Sequence, residues 1–198
     1  MNYLAHAYLS FNESDILVGN MISDFVKGKK KFDFSPGIQT GIMLHRAIDE
    51  FTDTHEATIF AKQFFRPQYR LYAAAFIDIV YDYFLANDPN EFASEQALYD
   101  FSQDTYRMLS AYESIFPSSF LVMFPFMRQH NWLYNYRWPE GIRKSFGGLA
   151  RRARYIEDAE PAFVVFEENH EALKQGYDHF FPLLKPFAAR QLELLKTT

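Results

Sequence analysis

Three side chains that can bind a metal recur every four residues in the stretch from 41 to 53. They are His45, Asp49 and Asp53, and on a helix of about 3.6 residues per turn this spacing places one imidazole and two carboxylates along one stripe. Apolar residues such as Ile48 and Phe51 lie between them and would bury much of the helix. Imidazole and carboxylate together suit a divalent transition metal, from manganese to zinc. The alternative is that His45 and Asp49 form an ordinary solvent-facing pair.

Further candidate ligands are carboxylates that interrupt apolar helical patterns. Asp24 lies near the end of an apolar run from Ile16 to Val26, and Asp78 and Asp82 lie four residues apart in a long apolar segment. Like charges at this spacing repel each other on a helix unless a cation is near. Exposure of these carboxylates on a polar stripe is the alternative. Together with a histidine near the N-terminus, the candidate metal ligands are His6, Asp24, His45, Asp49, Asp78 and Asp82.

The composition predicts an all-α, single-domain helical bundle that positions these ligands. The chain has 198 residues, is 48% hydrophobic and 19% aromatic, and contains only 8 Gly and 9 Pro, which favours long helices over a turn-rich sheet fold. The expected elements are helical turns in residues 2–10, helices over 16–26, 36–54, 55–65 with Thr54 as its cap, 68–86 as the central helix, 92–109 and 139–154, one helix opening at Glu160–Pro161, and a last one after a break at Gln175–Gly176 that ends near Leu195.

Several classes of protein do not fit this sequence. It contains no Cys, which excludes disulfides, thiolate nucleophiles and cysteine metal sites. The N-terminus lacks the pattern of a signal peptide and no segment approaches about 18 uncharged apolar residues, so we expect a cytoplasmic protein without a membrane partner. The net charge of −5 gives no reason to expect nucleic-acid binding.

Two local clusters are nevertheless basic. The first follows the 16–26 helix and has more lysines than a helix C-terminus needs; the second ends the 139–154 helix. Either cluster can also be ordinary solvated surface. Their members are Lys27, Lys29, Lys30, Lys31, Arg151, Arg152 and Arg154.

An ordered set of motifs resembles the acyl carrier protein phosphodiesterase family, also called holo-ACP hydrolases. The motifs are Asn2–His6, Gly19-Asn20 followed by Asp24-Phe25-Val26, Gly41-Ile42 with His45-Arg46 and Asp49, the Asp78–Asp82 helix and, more weakly, Trp132-Leu133, Tyr136-Arg137 and Gly148–Arg152. The resemblance covers most of the chain. It implies that residues 1–198 form one all-helical phosphodiesterase domain, a divergent member of the HD-type metal phosphohydrolases.

The resemblance also implies a reaction. Such enzymes hydrolyse the phosphodiester between 4′-phosphopantetheine and a serine of acyl carrier protein (ACP), usually with manganese, and the basic clusters would then form a rim that steers the acidic carrier protein. An HD enzyme has adjacent His and Asp, whereas this chain has His45-Arg46. The missing carboxylate is therefore expected from Asp49, Asp78 or Asp82. The candidate catalytic residues are Asp24, His45, Arg46 as the phosphate contact and Asp49, while Asp53 is left with a role at the helix end.

Two alternatives remain open from the sequence. One is a nucleotide phosphohydrolase on the same helical scaffold. The other is a non-catalytic helical binding protein whose acidic positions are structural. Stabilisation by Mn²⁺ and release of phosphopantetheine from holo-ACP separate these alternatives from the leading interpretation.

Overall fold

The computed structural model describes residues 1–197, and in that range it contains α-helices and short 3₁₀ turns but no β-strand. The predicted all-α helical bundle is confirmed. None of the helices in the described range is both long and apolar enough to cross a membrane. The helices are α1 Tyr3–Tyr8, α2 Ser14–Ile22, α3 Pro36–Thr54, α4 Glu56–Tyr69, α5 Ala73–Ala86, α6 Glu95–Ser110, α7 Ser118–Gln129, α8 Trp132–Asn135, α9 Pro139–Arg152, α10 Glu160–Glu168 and α11 His170–Lys196.

Helix α5 is the central element, as its apolar pattern predicts. It contacts α1, α4, α9 and α11, and its Phe76 and Tyr81 side chains are fully buried. The Tyr81 ring stacks on Phe180 of α11 with centroids 5.1 Å apart, and Phe76 packs edge-on against Phe146 of α9 at 4.9 Å. Aromatic contacts to α11 and α9 therefore fix the position of the helix that carries Asp78 and Asp82.

The expected continuous helix over residues 68–86 is wrong at its start. Gln68 and Tyr69 end α4, and a 3₁₀ turn at Arg70–Tyr72 separates them from α5. Arg70 has a φ of 46°, outside the right-handed helical region, so the helix cannot continue through it.

The expected break at Gln175–Gly176 is also wrong. Helix α11 runs through both residues and begins after Asn169, whose φ of −114° and ψ of 17° are not helical. Gly176 is buried, and a Cβ there would lie 3.7 Å from the Ala57 carbonyl oxygen and from the Tyr81 hydroxyl. Gly176 thus lies on a packed face of α11 rather than at a turn.

The residue that caps α4 differs from the prediction as well. Thr54 is the last residue of α3, and its hydroxyl donates to the Glu50 carbonyl 2.7 Å away. His55 is the cap instead, because its Nδ1 accepts a hydrogen bond from the Ala57 amide at 3.2 Å.

Helices α2 and α3 cross unusually closely, at a pair of glycines. A Cβ built on Gly19 would lie 2.1 Å from the Ile38 carbonyl oxygen, and one built on Gly41 would lie 2.3 Å from the Ile16 carbonyl oxygen. No side chain fits at either position without moving a helix backbone. This crossing brings Asn20 on α2 next to His45 on α3.

We expect Gly41→Ala to destabilise the protein, because the added methyl group must push α2 and α3 apart. Such overpacking lowers the free energy of unfolding by about 1–3 kcal/mol, and each kcal/mol corresponds to about 2–4 °C in Tm for a chain of this size. Thermal unfolding followed by circular dichroism measures the shift. Gly147→Ala in α9 is the matched control, since its Cβ would meet only Arg151 Nη1 at 3.5 Å and alanine is the better helix former. A Gly41→Ala protein as stable as Gly147→Ala would contradict the close crossing.

Candidate metal centre

Two histidines meet in the interior, one on α1 and one on α3, where α2 packs against both. His6 of α1 and His45 of α3 are both buried, with 3% and 5% of their surfaces exposed. Their rings stack with centroids 3.9 Å apart and an interplanar angle of 16°. Such a stack of imidazoles disfavours a positive charge on both rings at once, so the pair needs an arrangement of protons or cations that avoids it.

The carboxylate of Asp49 meets both histidines. Its Oδ1 lies 3.1 Å from His6 Nε2, and its Oδ2 lies 3.0 Å from His45 Nε2. One ligand atom from each of the three residues falls within 4.8 Å of the others. The predicted stripe on α3 thus supplies His45 and Asp49, and α1 supplies the third ligand.

Asn20 orients both histidine rings from the opposite side. Its side-chain Oδ1 lies 2.8 Å from His6 Nδ1, and its backbone carbonyl oxygen lies 2.8 Å from His45 Nδ1. The Asn20 Nδ2 group donates to the His6 carbonyl at 3.0 Å and to Ser10 Oγ at 3.1 Å, which fixes the orientation of the amide. Because both oxygens are acceptors, each Nδ1 carries a proton. A neutral ring at either position therefore directs the lone pair of Nε2 toward Asp49.

The protonation of the two rings differs. Burial and the neighbouring charge of His45 lower the pKa of His6 to about 4. Burial also disfavours charge on His45, but hydrogen bonds to Asp24 and Asp49 outweigh it and raise the pKa of His45 to about 9. Burial would raise the pKa of Asp49, but the positive charges around it hold that pKa far below its usual range. The lowered pKa favours a neutral His6, and with its proton on Nδ1 the ring turns its Nε2 lone pair toward Asp49 Oδ1, 3.1 Å away.

Asp24 and Arg46 lie at the open edge of this group. The Asp24 side chain is 70% exposed, and its Oδ1 lies 3.2 Å from His45 Nε2. Its hydrogen bond with His45 is the main reason that the pKa of Asp24 is lowered. Arg46 donates from Nη2 to the Val26 carbonyl at 3.1 Å, so its guanidinium is tied to the chain just after Asp24.

Asp78 and Asp82 have different surroundings from each other. Asp78 Oδ1 lies 3.0 Å from the α-amino group of Met1, which also contacts Asp49 Oδ1 at 3.3 Å. Asp82 is fully buried, and its carboxylate accepts backbone N–H groups of Leu4 at 2.7 Å and Ala5 at 3.2 Å. Burial raises the pKa of Asp82 to about 7.

These contacts give both carboxylates of the i, i+4 pair on α5 partners other than a metal. The first backbone N–H groups of α1 have no acceptor within that helix, and Asp82 of α5 accepts hydrogen bonds from two of them. These bonds account for the burial of Asp82 without a cation. Asp53, one turn beyond Asp49, pairs with Lys62 Nζ at 2.6 Å. Neither residue belongs to the His6, His45 and Asp49 group, and we do not carry Asp82 forward as a metal ligand.

The basic positions lie on two segments of the chain, one at residues 27–31 and one at residues 151–154. Lys27, Lys29 and Lys30 are exposed in and before a 3₁₀ turn at Gly28–Asp33, and none of them forms an ion pair within residues 1–197. Lys31 is half-buried, with its Nζ 3.2 Å from Met43 Sδ. The second cluster splits at the end of α9, where two arginines line a cavity and the third packs against an aromatic ring. These residues are Arg151, Arg152 and, beside Tyr155, Arg154.

The donor set fits a divalent metal ion. Two imidazole nitrogens and one carboxylate are ligands that manganese, iron, cobalt, nickel and zinc all accept. The hydrogen bond that each Nδ1 makes to Asn20 is the kind of outer contact that fixes the tautomer of metal-binding histidines. A cation would also resolve the contact between the neutral His6 Nε2 and Asp49.

Asn20 is the residue of this centre that reasoning from the residues missed. It appears above only within the Gly19-Asn20 motif of the resemblance. The available signal was an amide inside the apolar run of α2, since a buried amide must find several hydrogen-bond partners. In the structure Asn20 is fully buried and uses its side chain and its backbone together.

Comparison with known proteins assigns the chain to a family. The family model described as acyl carrier protein phosphodiesterase matches residues 1–184. Proteins named acyl carrier protein phosphodiesterase from Salmonella paratyphi A and Yersinia enterocolitica are 27% and 28% identical, over 96% and 93% of this chain and 99% and 95% of their own lengths. No solved structure matches. With a match over nearly the whole chain, the protein belongs to the acyl carrier protein phosphodiesterase family.

Proposed function

We propose that this protein is a metal-dependent phosphodiesterase that removes 4′-phosphopantetheine from holo-ACP and releases apo-ACP. Membership of the family and the names of the relatives support the reaction and the substrate. The observation that carries the metal dependence is the arrangement of His6, His45 and Asp49, whose ligand atoms converge while Asn20 holds both histidines from behind.

Each residue of the centre has a role in this proposal. His6, His45 and Asp49 hold the metal, and Asp24 is the next ligand candidate because it shares His45 Nε2 on the exposed side. A divalent cation there would lower the pKa of a water molecule and offset negative charge on the phosphodiester. Arg46, tethered near Asp24, is placed to contact the phosphate. Asp78 does not bind the metal directly in this proposal. It holds the α-amino group of Met1 in place next to Asp49.

Manganese is the metal that we propose, on the basis of the family resemblance. The ligand set alone is compatible with other first-row metals. The predictions of a cytoplasmic location and of no nucleic-acid partner also stand on the sequence.

Incubation with holo-ACP tests the proposed reaction. We expect mass spectrometry to show conversion of holo-ACP to apo-ACP and release of 4′-phosphopantetheine in Mn²⁺, and expect EDTA to stop the conversion. A nucleotide panel is assayed in parallel. If holo-ACP stays intact and a nucleotide is hydrolysed, the protein is a nucleotide phosphohydrolase and this proposal is wrong. If neither substrate is hydrolysed, the result favours a non-catalytic binding protein.

The exposed lysines that follow Asp24 in the sequence, Lys27, Lys29 and Lys30, are proposed to attract the acidic carrier protein. The charge-reversing double variant Lys29→Glu with Lys30→Glu should raise KM for holo-ACP by about 10-fold with little change in kcat. Surface charge acts mainly on the rate at which enzyme and carrier protein meet. Steady-state kinetics at low and high salt measure this effect, which should shrink as salt screens the charges. Arg66→Glu with Arg190→Glu makes the same change in net charge on exposed positions of α4 and α11. An equal rise in KM for both double variants would argue against a local docking surface.

A further inference from the structure

The cavity that Arg151 and Arg152 line has a volume of about 620 Å³. We call it the α9 cavity. It lies among α1, α5, α8 and α9, and Tyr3, Ile79, Trp132 and Tyr136 supply apolar walls. Its volume is within the range of about 300–1,000 Å³ that is typical of small-ligand sites.

The α9 cavity shares α1 with the metal centre. Tyr3 lines the cavity, and His6 follows it by three residues on the same helix, which places the two side chains on neighbouring positions of one face. Burial raises the pKa of Tyr3 to about 12, and the charges of Arg152 and Asp24 both act on its hydroxyl. Tyr3 and Arg152 both line the cavity, so the helix that carries His6 also forms part of the cavity wall.

The lining of the cavity favours a particular kind of ligand. Lys144, Arg151 and Arg152 are exposed at its mouth, and no Asp or Glu lines it. Neither arginine forms an ion pair within the described part of the chain. Amide and hydroxyl groups of Asn135 and Ser145 add hydrogen-bond partners among the aromatic walls. This chemistry suits a long, mostly uncharged chain of amide and alkyl groups that carries an anionic phosphate at one end.

We propose that the α9 cavity binds the pantetheine arm of the substrate and so holds the scissile phosphodiester at the metal centre. This inference rests on the proposed function and adds the site that recognises the prosthetic group. Arg151 and Arg152 then act on the prosthetic group rather than on the surface of the carrier protein. Binding energy from a part of the substrate that does not react is thereby used to position the part that does.

Two neighbouring glycines of α9 allow a matched test. Gly148 lines the cavity, and a Cβ there would meet only Arg151 Nη2, at 3.8 Å, so we expect Gly148→Leu to occupy part of the cavity without a backbone clash. Gly147→Leu is the control, because Gly147 lies outside this cavity and its Cβ would meet Arg151 Nη1 at 3.5 Å. Both changes replace glycine by a good helix former.

Fluorescence measures binding without the reaction. The chain has two tryptophans, and Trp138→Phe leaves Trp132 of the cavity wall as the only one. Pantetheine, which lacks the phosphate, should change Trp132 emission in this background. The change should persist with Gly147→Leu and disappear with Gly148→Leu. An equal response in both glycine variants, or no response in the Trp138→Phe parent, would overturn the inference.

Kinetics measure the consequence for catalysis. With holo-ACP, Gly148→Leu should lower kcat/KM by about 10-fold or more, whereas Gly147→Leu should not. With methyl p-nitrophenyl phosphate, a diester without the arm, Gly147→Leu should match wild type, and Gly148→Leu should lose much less activity than it loses with holo-ACP. Unchanged holo-ACP kinetics in Gly148→Leu overturn the cavity proposal alone. Absence of holo-ACP hydrolysis in the wild type overturns the proposed function, while Trp132 fluorescence still decides whether pantetheine enters the cavity.

Discussion

Asp49→Asn is expected to abolish stabilisation by Mn²⁺ and to lower kcat/KM for holo-ACP by about 10²–10³-fold, as loss of a key electrostatic group in an active site does. Among residues 1–197, Asp49 is the carboxylate that contacts both histidines, with Oδ1 3.1 Å from His6 Nε2 and Oδ2 3.0 Å from His45 Nε2. Asparagine keeps the shape but removes the charge that offsets the cation. In wild type, Mn²⁺ at about 100 times its Kd should add about 2.7 kcal/mol of stability, or about 5–10 °C in Tm.

Asp53→Asn is the matched control for this prediction. It makes the same chemical change one helical turn further along α3, where the carboxylate pairs with Lys62 at 2.6 Å. We expect Asp53→Asn to keep both the Mn²⁺-dependent rise in Tm and the activity. Differential scanning fluorimetry with and without Mn²⁺, together with holo-ACP kinetics, measures both. If Asp49→Asn retains the rise in Tm, the metal centre has been assigned to the wrong carboxylate.

The sequence could predict the ligands on a single helix better than their partners on other helices. The i, i+4 spacing of His45 and Asp49 is local, since it follows from helix geometry alone, and the structure brings their side chains together. The same spacing at Asp78 and Asp82 has another explanation at Asp82, because its carboxylate accepts hydrogen bonds from backbone N–H groups of α1. Whether a buried carboxylate faces a cation or a helix N-terminus depends on tertiary neighbours, which periodicity does not specify.

The glycines show that the sequence also does not specify which helix surfaces pack together. The sequence treats Gly176 as a break, but in α11 it is a position of close packing against α4 and α5. Gly19 and Gly41 contribute to a motif in the sequence, yet only the structure shows that each lies against the backbone of the opposite helix. Helix content was therefore predictable from composition and apolar spacing, whereas the boundary at Asn169 and the crossing of α2 and α3 depend on which surfaces meet.

Replacing Asn20 by leucine is expected to weaken Mn²⁺ binding by about 10–100-fold, as the loss of outer contacts to metal-binding histidines does. The change keeps a side chain of similar size but removes the Oδ1 acceptor 2.8 Å from His6 Nδ1. The backbone carbonyl that orients His45 remains in place. His6 is then free to move its proton to Nε2, where the proton competes with the metal. Titration of Mn²⁺ by electron paramagnetic resonance measures the affinity.

Ser10→Ala separates this effect from simple loss of a buried polar contact. Ser10 Oγ is fully buried and bonds Asn20 Nδ2 at 3.1 Å and the His6 carbonyl at 2.7 Å, but it touches neither imidazole nitrogen. We expect Ser10→Ala to lower stability by about 1–3 kcal/mol and to leave Mn²⁺ affinity near that of wild type. Nitrogen-15 chemical shifts of the histidine rings should show the Nδ1–H tautomer of His6 in wild type and in Ser10→Ala but not in Asn20→Leu. Equal Mn²⁺ affinity in Asn20→Leu and wild type would mean that the ligand atoms of His6, His45 and Asp49 converge without help from Asn20, and that the tautomer of His6 does not limit metal binding.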